Sequence, residues 1–268
     1  MFVLLPPSEG KAVPGKAPKV RLNSLVLPKL AEARQSVLDA LGALSAGPAP
    51  DALAVLGLTE GLAGELAHNR KLRTAAAIPA AELYTGVLYD ALGLPDLAAA
   101  EPAAFTAANN NILIFSALWG VLRPADRVPH YRCSGGTKLP GIGSLDAWWR
   151  RELRKPLDAL VGQDLVVDLR SGAYAGMWKP GPNSVSVRVV QERVVAGVTK
   201  RTVISHFNKA TKGRLVRALL LAGAEPKDAG EFADAAAAAG FEIEPMAAAA
   251  KPTVPGPRAE AFDLVLRD

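Results

Sequence analysis

The segment Leu139-Pro140-Gly141-Ile142-Gly143, continued by Ser144-Leu145-Asp146-Ala147, has residue types suited to holding a phosphate on the main chain. Two glycines flanking one apolar residue let backbone N–H groups approach an anion without side-chain interference. Ala147, four residues past Gly143, leaves room for close helix packing. The spacing resembles the hairpin and second-helix start of a helix-hairpin-helix motif. Arg150, Arg151, Arg154 and Lys155 follow, so Gly141, Gly143, Arg150 and Arg151 are predicted to touch DNA. Ser134-Gly135-Gly136-Thr137, just before the hairpin, are poor helix formers, so the motif's first helix is not evident. An ordinary glycine turn ahead of an amphipathic helix is the competing reading.

A second cationic group follows His206. Lys209, Lys212 and Arg214 lie within two helical turns, and Lys209 and Lys212 share a face. They are predicted to lie along a phosphate backbone; a solvated helix wall is the alternative. Gly213, in the middle of this helix, marks a place where another backbone could come close.

A third set of residues is polar and scattered: Ser8, Glu9, Lys11, Tyr84, Thr85, Arg123, Tyr131, Arg132, Ser171, Tyr174, Lys179 and Ser205. Many stand beside turns and could together line a cleft. In an enzyme acting on a nucleobase, nucleotide or damaged DNA, Lys179 or Lys209 would be nucleophile or phosphate clamp. Tyr84, Tyr131 or Tyr174 would position a base, Arg123 would hold charge, and Glu9 or Asp168 would be the general base. Buried tyrosines with satisfied hydroxyls are the plainer reading. Ser8-Glu9-Gly10-Lys11 follows a strand but is not a P-loop, because Leu5 stands where the upstream glycine belongs and Ala12 replaces the Ser/Thr. His68, His130 and His206 have no His or Cys partner at ligand spacing, and no metal or cofactor is expected. The single cysteine, Cys133, rules out an intramolecular disulfide and is not expected to sense oxidant.

Charge sharpens the choice of partner. The net charge is +5, but residues 120–217 carry 18 basic and 7 acidic side chains, while residues 218–268 carry 4 and 9. A concentrated positive field attracts polyanions through counterion release. The longest apolar stretch, Ile112 to Leu122, is broken by Ser116 and Gly120 and is far short of the roughly 20 residues that span a bilayer. The expectation is a cytoplasmic protein with no membrane partner; a small-molecule ligand without turnover is a third reading.

The elements that must position these residues alternate without a strict βαβ rhythm. Met1–Leu5 reads as a buried strand, Lys29–Leu44 as a helix with its stripe at Leu30, Ala33, Val37, Leu38 and Leu41, and Gly47-Pro48-Ala49-Pro50 as a linker. A helix from Thr59 to Leu72 and a broken helix over Ala80–Leu94 follow. Then come a strand over Asn111–Phe115, a helix over Leu145–Leu160, a strand over Leu165–Leu169 and a hairpin turning at Gln191-Glu192-Arg193. Later come a strand over Thr202–Ser205, a helix over His206–Leu221, a short helix near Glu231–Ala238 and strands near Phe241–Ile243 and Phe262–Leu266; the Ala247–Ala250 run reads as peripheral. This predicts one mixed α/β (α+β) domain over residues 1–268, with a mixed sheet flanked by helices.

Several of these segments together resemble the YaaA family of bacterial peroxide-stress proteins. The match runs from Pro6-Pro7-Ser8-Glu9-Gly10-Lys11 through Tyr84-Thr85-Gly86 to Ser116-Ala117-Leu118-Trp119-Gly120-Val121-Leu122-Arg123-Pro124. It continues with Tyr131-Arg132, Asp168-Leu169, Ser171, Tyr174, Lys179-Pro180, Ser205, Lys209 and Gly213. Trp119 stands where the family commonly has Tyr, and Cys133-Ser134-Gly135-Gly136 where it often has Leu-Glu-Met-Gly. The resemblance implies an unusual α/β fold with a basic cleft and a DNA-binding helix-hairpin-helix element. It also implies a role in limiting oxidative DNA damage during peroxide stress through lower available intracellular iron.

Overall fold

Four apolar residues followed by two prolines make a short, wholly buried strand, because proline cannot continue a central ladder. In the computed structural model, which describes residues 1–195, 198–203, 206–246 and 259–267, this is β1 (Phe2–Leu5). Then come α1 (Ala31–Ala46), α2 (Ala49–Leu56), α3 (Glu65–Arg70), the two-residue β2 (Ile78–Pro79), α4 (Ala80–Leu83), α5 (Val87–Leu92), α6 (Leu94–Ala100) and α7 (Pro102–Asn111). The predicted stripe of α1 is buried in full. The expected linker at Gly47–Pro50 instead opens α2, since proline is tolerated in a first turn whose N–H groups lack intrahelical partners. The expected helix from Thr59 is split near Gly61 and Gly64 into a 3-10 turn (Glu60–Leu62) and α3, and the Thr59 side chain makes no cap.

The second half holds β3 (Ile112–Ser116), β4 (Gly120–Leu122), β5 (Arg127–Val128), β6 (Lys138–Leu139), β7 (Gly143–Ser144), α8 (Leu145–Val161), β8 (Val166–Asp168) and α9 (Gly172–Ala175). It closes with β9 (Ser184–Val195), β10 (Val198–Val203), α10 (His206–Leu221), α11 (Ala229–Ala238), β11 (Ile243–Pro245) and β12 (Glu260–Arg267). Ser205 and the Ala247–Ala250 run lie outside the described residues.

Among the described residues the main sheet has eight strands in the order β11-β12-β9-β8-β1-β3-β4, with β10 also against β9. β12, β9, β8, β1 and β3 are parallel; β4, β10 and β11 add antiparallel edges. The chain is thus a single mixed α+β domain with a mixed sheet flanked by helices. β3 and β8 leave β1 on opposite sides, so the strand order reverses at the C-terminal end of β1. Open α/β sheets gather ligands at such a reversal.

β9 runs straight through Gln191-Glu192-Arg193, where a turn was expected. Glu192 stands opposite Arg201 of β10 and binds the guanidinium groups of both Arg201 and Arg267. The polar residues here are cross-strand partners rather than turn formers. Gly213 of α10 does mark a close approach: a Cβ there would collide with the Leu88 carbonyl oxygen of α5.

Candidate functional site

The reversal point is occupied by the loop after β1. Its main chain forms a short antiparallel bridge with the end of α4: Thr85 N–H donates to the Gly10 carbonyl at 3.1 Å, Ala12 N–H to the Leu83 carbonyl at 2.8 Å, and Lys11 pairs with Tyr84. Close approach explains the glycine, since a Cβ on Gly10 would sit 3.0 Å from Thr85 Oγ1. Lys11 is thereby turned inward. Its Nζ donates to the Ser8 carbonyl at 2.7 Å and stands 4.5 Å from the centre of the Tyr131 ring and 5.7 Å from that of Tyr84. Burial, helped by the Arg132 guanidinium and opposed by Glu65, Glu9 and Cys133, pushes the Lys11 ammonium down to about 8.

Behind the amine lies a buried hydroxyl chain. Ser116, the last residue of β3, accepts the N–H groups of Leu118 and Trp119 at 3.3 and 3.2 Å on its Oγ. Its own hydrogen therefore goes to Tyr131 OH, 2.7 Å away, which in turn donates to Tyr84 OH at 2.8 Å. Burial raises both phenols above their ordinary range, keeping them neutral donors. Tyr89 stacks on Tyr84 with ring centres 5.3 Å apart and donates to the Pro6 carbonyl at 2.6 Å. The segment carrying Tyr131 is clamped by Asn69 of α3, which bonds both N–H and C=O of Arg132 at 2.9 and 2.8 Å. His130 is not isolated: Nε2 faces Glu65 at 3.0 Å, Nδ1 faces the Ala12 carbonyl at 3.2 Å, and His68 lies 4.2 Å away ring to ring.

The mouth of the cluster is made by Arg132, Glu9, Cys133 and Tyr174. Arg132 Nη2 binds Glu9 Oε2 at 3.0 Å, and the Glu9 side chain is 80% exposed. Burial pushes the Cys133 thiol up to about 12, with Thr137 opposing as a hydrogen-bond partner. Such a thiol is held in its protonated form, the less nucleophilic one. Tyr174 of α9 accepts the Gly135 N–H at 3.2 Å, and burial pushes its phenol up to about 12. Arg170 fixes α9: its buried guanidinium binds Asp168 at 2.9 and 2.6 Å, the Trp178 carbonyl at 2.8 Å and the Tyr174 carbonyl at 3.2 Å, and covers the Phe115 ring at 4.2 Å. Asp168 is thereby bonded to Arg170 through both carboxylate oxygens.

The glycine turn stands beside this cluster. Gly141 (φ +77), in the turn between β6 and β7, and Gly143 (φ +86), the first residue of β7, both adopt left-handed backbone with open space where a Cβ would be. An irregular run with a turn at Gly135-Gly136, not a helix, precedes the hairpin. α8 is held to the sheet by Trp149, whose Nε1 donates to the Ala117 carbonyl at 2.7 Å; the ring fills the space that a Cβ on Gly120 (φ +72) would take. The outer face of α8 presents Arg150, Arg151, Arg154 and Lys155. Arg150 binds Asp146 and the Gly176 carbonyl at 2.7 Å, while Arg151 pairs with Glu152 and covers Trp148 at 4.6 Å. Arg154 and Lys155 have no ion-pair partner among the described residues. Arg150 and Arg154 also line an open groove of about 660 Å³ whose far wall carries Lys179 and Asn183.

The predicted residues thus fall into separate groups. Ser8, Glu9, Lys11, Tyr84, Thr85, Tyr131, Arg132 and Tyr174 come together; Ser171 is exposed at the start of α9. Lys179 belongs with the α8 cations instead. Arg123 lies in a turn where its N–H donates to Asp126 and the Ala125 N–H to Asn109. Lys209 and Arg214 are exposed on α10, but Lys212 points to the Leu169 carbonyl at 3.5 Å, where burial lowers its ammonium against the pull of Asp168. Among the described residues no group of three or more His, Cys, Asp or Glu side chains could hold a metal ion, and no helix is long and apolar enough to cross a membrane. Ser116, Asn69, Tyr89 and Arg170 were not foreseen.

Comparison with known proteins agrees with this arrangement of motifs. The chain matches the family described as peroxide stress protein YaaA over residues 1–247. It is 51% identical over 249 residues to a UPF0246 protein of Streptomyces coelicolor, covering 93% of this chain and 94% of the relative. A UPF0246 protein of Corynebacterium efficiens is 45% identical, covering 91% and 95%, and one of Corynebacterium glutamicum 40% identical with the same coverage. With the family match spanning nearly the whole chain and the Lys11, Tyr84, Ser116 and Tyr131 segments meeting at one point of the sheet, this chain belongs to the YaaA family of peroxide stress proteins.

Proposed function

We propose that the protein binds DNA, double-stranded or branched, as part of the response to hydrogen peroxide, by phosphate contacts and shape rather than by reading bases. The observation that carries this is the juxtaposition of two open left-handed glycines with a 17-residue helix exposing four cations. Much of the central basic excess is spent internally: Arg170 pairs with Asp168, Arg188 with Asp263, and Arg201 with Glu192 and Glu244. What is left free on α8 and across its groove is therefore available to a polyanion. The protection of DNA and the lower available iron implied by family resemblance belong to this reading. Binding to duplex and forked DNA over a salt series tests it: a steep negative slope that flattens when Arg150, Arg151, Arg154 and Lys155 are neutralised supports it. A salt-insensitive or unchanged affinity overturns it.

A second reading, catalysis at the reversal point, is favoured by one observation: Lys11 is turned inward over two tyrosine rings with no carboxylate bonded to its nitrogen.

A further inference from the structure

A lysine drawn partly out of water is most often paired with a carboxylate, because burying an unpaired charge is costly. Lys11 lacks one. The two nearby carboxylates are taken, Glu9 by Arg132 and Glu65 by His130. The amine meets the neutral carbonyls of Ser8 and Glu9 at 2.7 and 3.4 Å, and two ring faces. Its hydrogen-bond acceptors are neutral carbonyls, while Glu65 and Glu9 act on it only across a gap. The neighbouring groups are those that receive a polar, anionic small group: the Arg132 guanidinium, and the Ser8 and Thr85 hydroxyls, which converge where Gly10 and Gly86 have no side chain. Glu9, the present partner of Arg132, is mostly in water, and an incoming anion can displace it at little cost.

We propose that Lys11 is an amine nucleophile that condenses with the aldehyde of a phosphorylated substrate, with Arg132 holding the phosphate. This rests on the catalytic reading of the reversal point and does not require the DNA reading. The step balances without a redox partner. The amine lone pair forms a bond to the carbonyl carbon, and the carbonyl π pair moves to oxygen, which takes a proton. That proton comes from the nitrogen, which then gives its second proton to the hydroxyl; the hydroxyl leaves as water, and an imine remains. A depressed lysine in a desolvated site beside a second cation is suited to this, since its lone pair is free near neutral pH.

Two sources carry this chemistry: the ring-opened sugar of an abasic site in DNA, and a free phosphorylated aldehyde. The structure makes the first reachable. Segment 170–178 touches both regions, with Tyr174 beside Gly135 at the cluster mouth and the Gly176 carbonyl bonded to Arg150 of α8. A backbone lying on α8 would meet, at Gly176, the segment that also carries Tyr174 at the cluster mouth.

The test is reductive trapping with borohydride, using an abasic-site duplex in one arm and glycolaldehyde phosphate in the other. Peptide mapping of the wild-type adduct locates the modified residue independently of any variant. An adduct on Lys11, reduced roughly tenfold or more in Lys11→Arg, is the expected result. Trapping in the duplex arm alone assigns the DNA source, in the aldehyde arm alone the free one, and in both the shared chemistry. No adduct in either arm, or one spread over Lys16, Lys19 and other surface lysines, overturns the proposal. DNA affinity measured on the same samples keeps the outcomes apart: normal binding without an adduct removes the nucleophile only, and an aldehyde adduct without binding removes the DNA reading only.

Discussion

Lys11 Nζ stands 4.5 Å from the centre of the Tyr131 ring, and the hydroxyl of that same ring is bonded on both sides, to Ser116 and to Tyr84. The ring cannot turn away without breaking two buried hydrogen bonds, so its face is a fixed wall for the amine. The ring face favours the charged amine by about 0.5–2 kcal/mol. Burial and Arg132 oppose it and win, leaving the ammonium near 8.

That balance fixes a sign for stability against pH. A lysine whose ammonium is depressed in the native state makes the unfolded chain bind more protons between about pH 8 and 10.5. Burial first, and then Arg132 against Glu65, Glu9 and Cys133, make the charged Lys11 costly at pH 7; between pH 8 and 10.5 the native chain has already released the proton that the unfolded chain still holds, so wild-type stability rises with pH. Lys11→Met is expected to gain on the wild type at pH 7, and the gain to shrink by on the order of 2 kcal/mol by pH 10. Urea unfolding of both proteins at the two values checks this. An equal difference at both would show that Lys11 titrates normally.

The glycine turn gives a prediction about DNA. Gly141→Glu places a carboxylate and a Cβ where the backbone is bare and left-handed, so affinity should fall while the fold is kept. Neutralising Arg154 and Lys155 should lower the log–log salt slope by about 0.9 for each phosphate that the protein no longer neutralises. Fluorescence anisotropy at several salt concentrations measures both, and circular dichroism verifies the fold.

Gly120 sets the attachment of α8. Its φ of +72 and the Trp149 ring 2.7 Å from the position of a Cβ mean that Gly120→Ala must both strain the backbone and displace the indole. The expected loss is about 2–4 kcal/mol, with weakened DNA binding as a secondary effect. Chemical denaturation reads the first and intrinsic Trp fluorescence the displacement. A loss under about 0.5 kcal/mol would mean that α8 is held elsewhere.

Cys133 should be silent toward peroxide. With its thiol held near 12 by burial, the native protein should react with a thiol reagent at pH 8 only as fast as it opens. Cys133→Ser should leave DNA affinity unchanged after peroxide treatment. Rapid sulfenic-acid labelling of the native protein would contradict this.

The sequence made some of this readable and hid the rest for physical reasons. Periodicity placed α1 and α8, and Gly213 was read as a close approach because a mid-helix glycine has few other uses. The glycine hairpin was visible because turn chemistry is local. The cluster around Lys11 was visible only in part: Lys11, Tyr84, Tyr131 and Tyr174 were among the residues expected to line a cleft, but their meeting point with Ser116, where parallel strands end, depends on five distant segments. Ser116 looked like an interruption of an apolar run, whereas its Oγ anchors the hydroxyl chain. The basic block misled in another way: counting charges cannot show that Arg188 is paired with an acid 75 residues away.

That separation has a consequence for how the chain is made. β9 pairs with β8 on one edge, using Ser184–Ser186, and with β12 along Val185–Glu192 on the other. Until β12 emerges from the ribosome, a valine-rich strand stands with one long edge open. An open edge is a template for other chains. Nascent protein halted before β12, or one whose β12 has been cut away, should therefore be lost to aggregation rather than persist as a weaker fold.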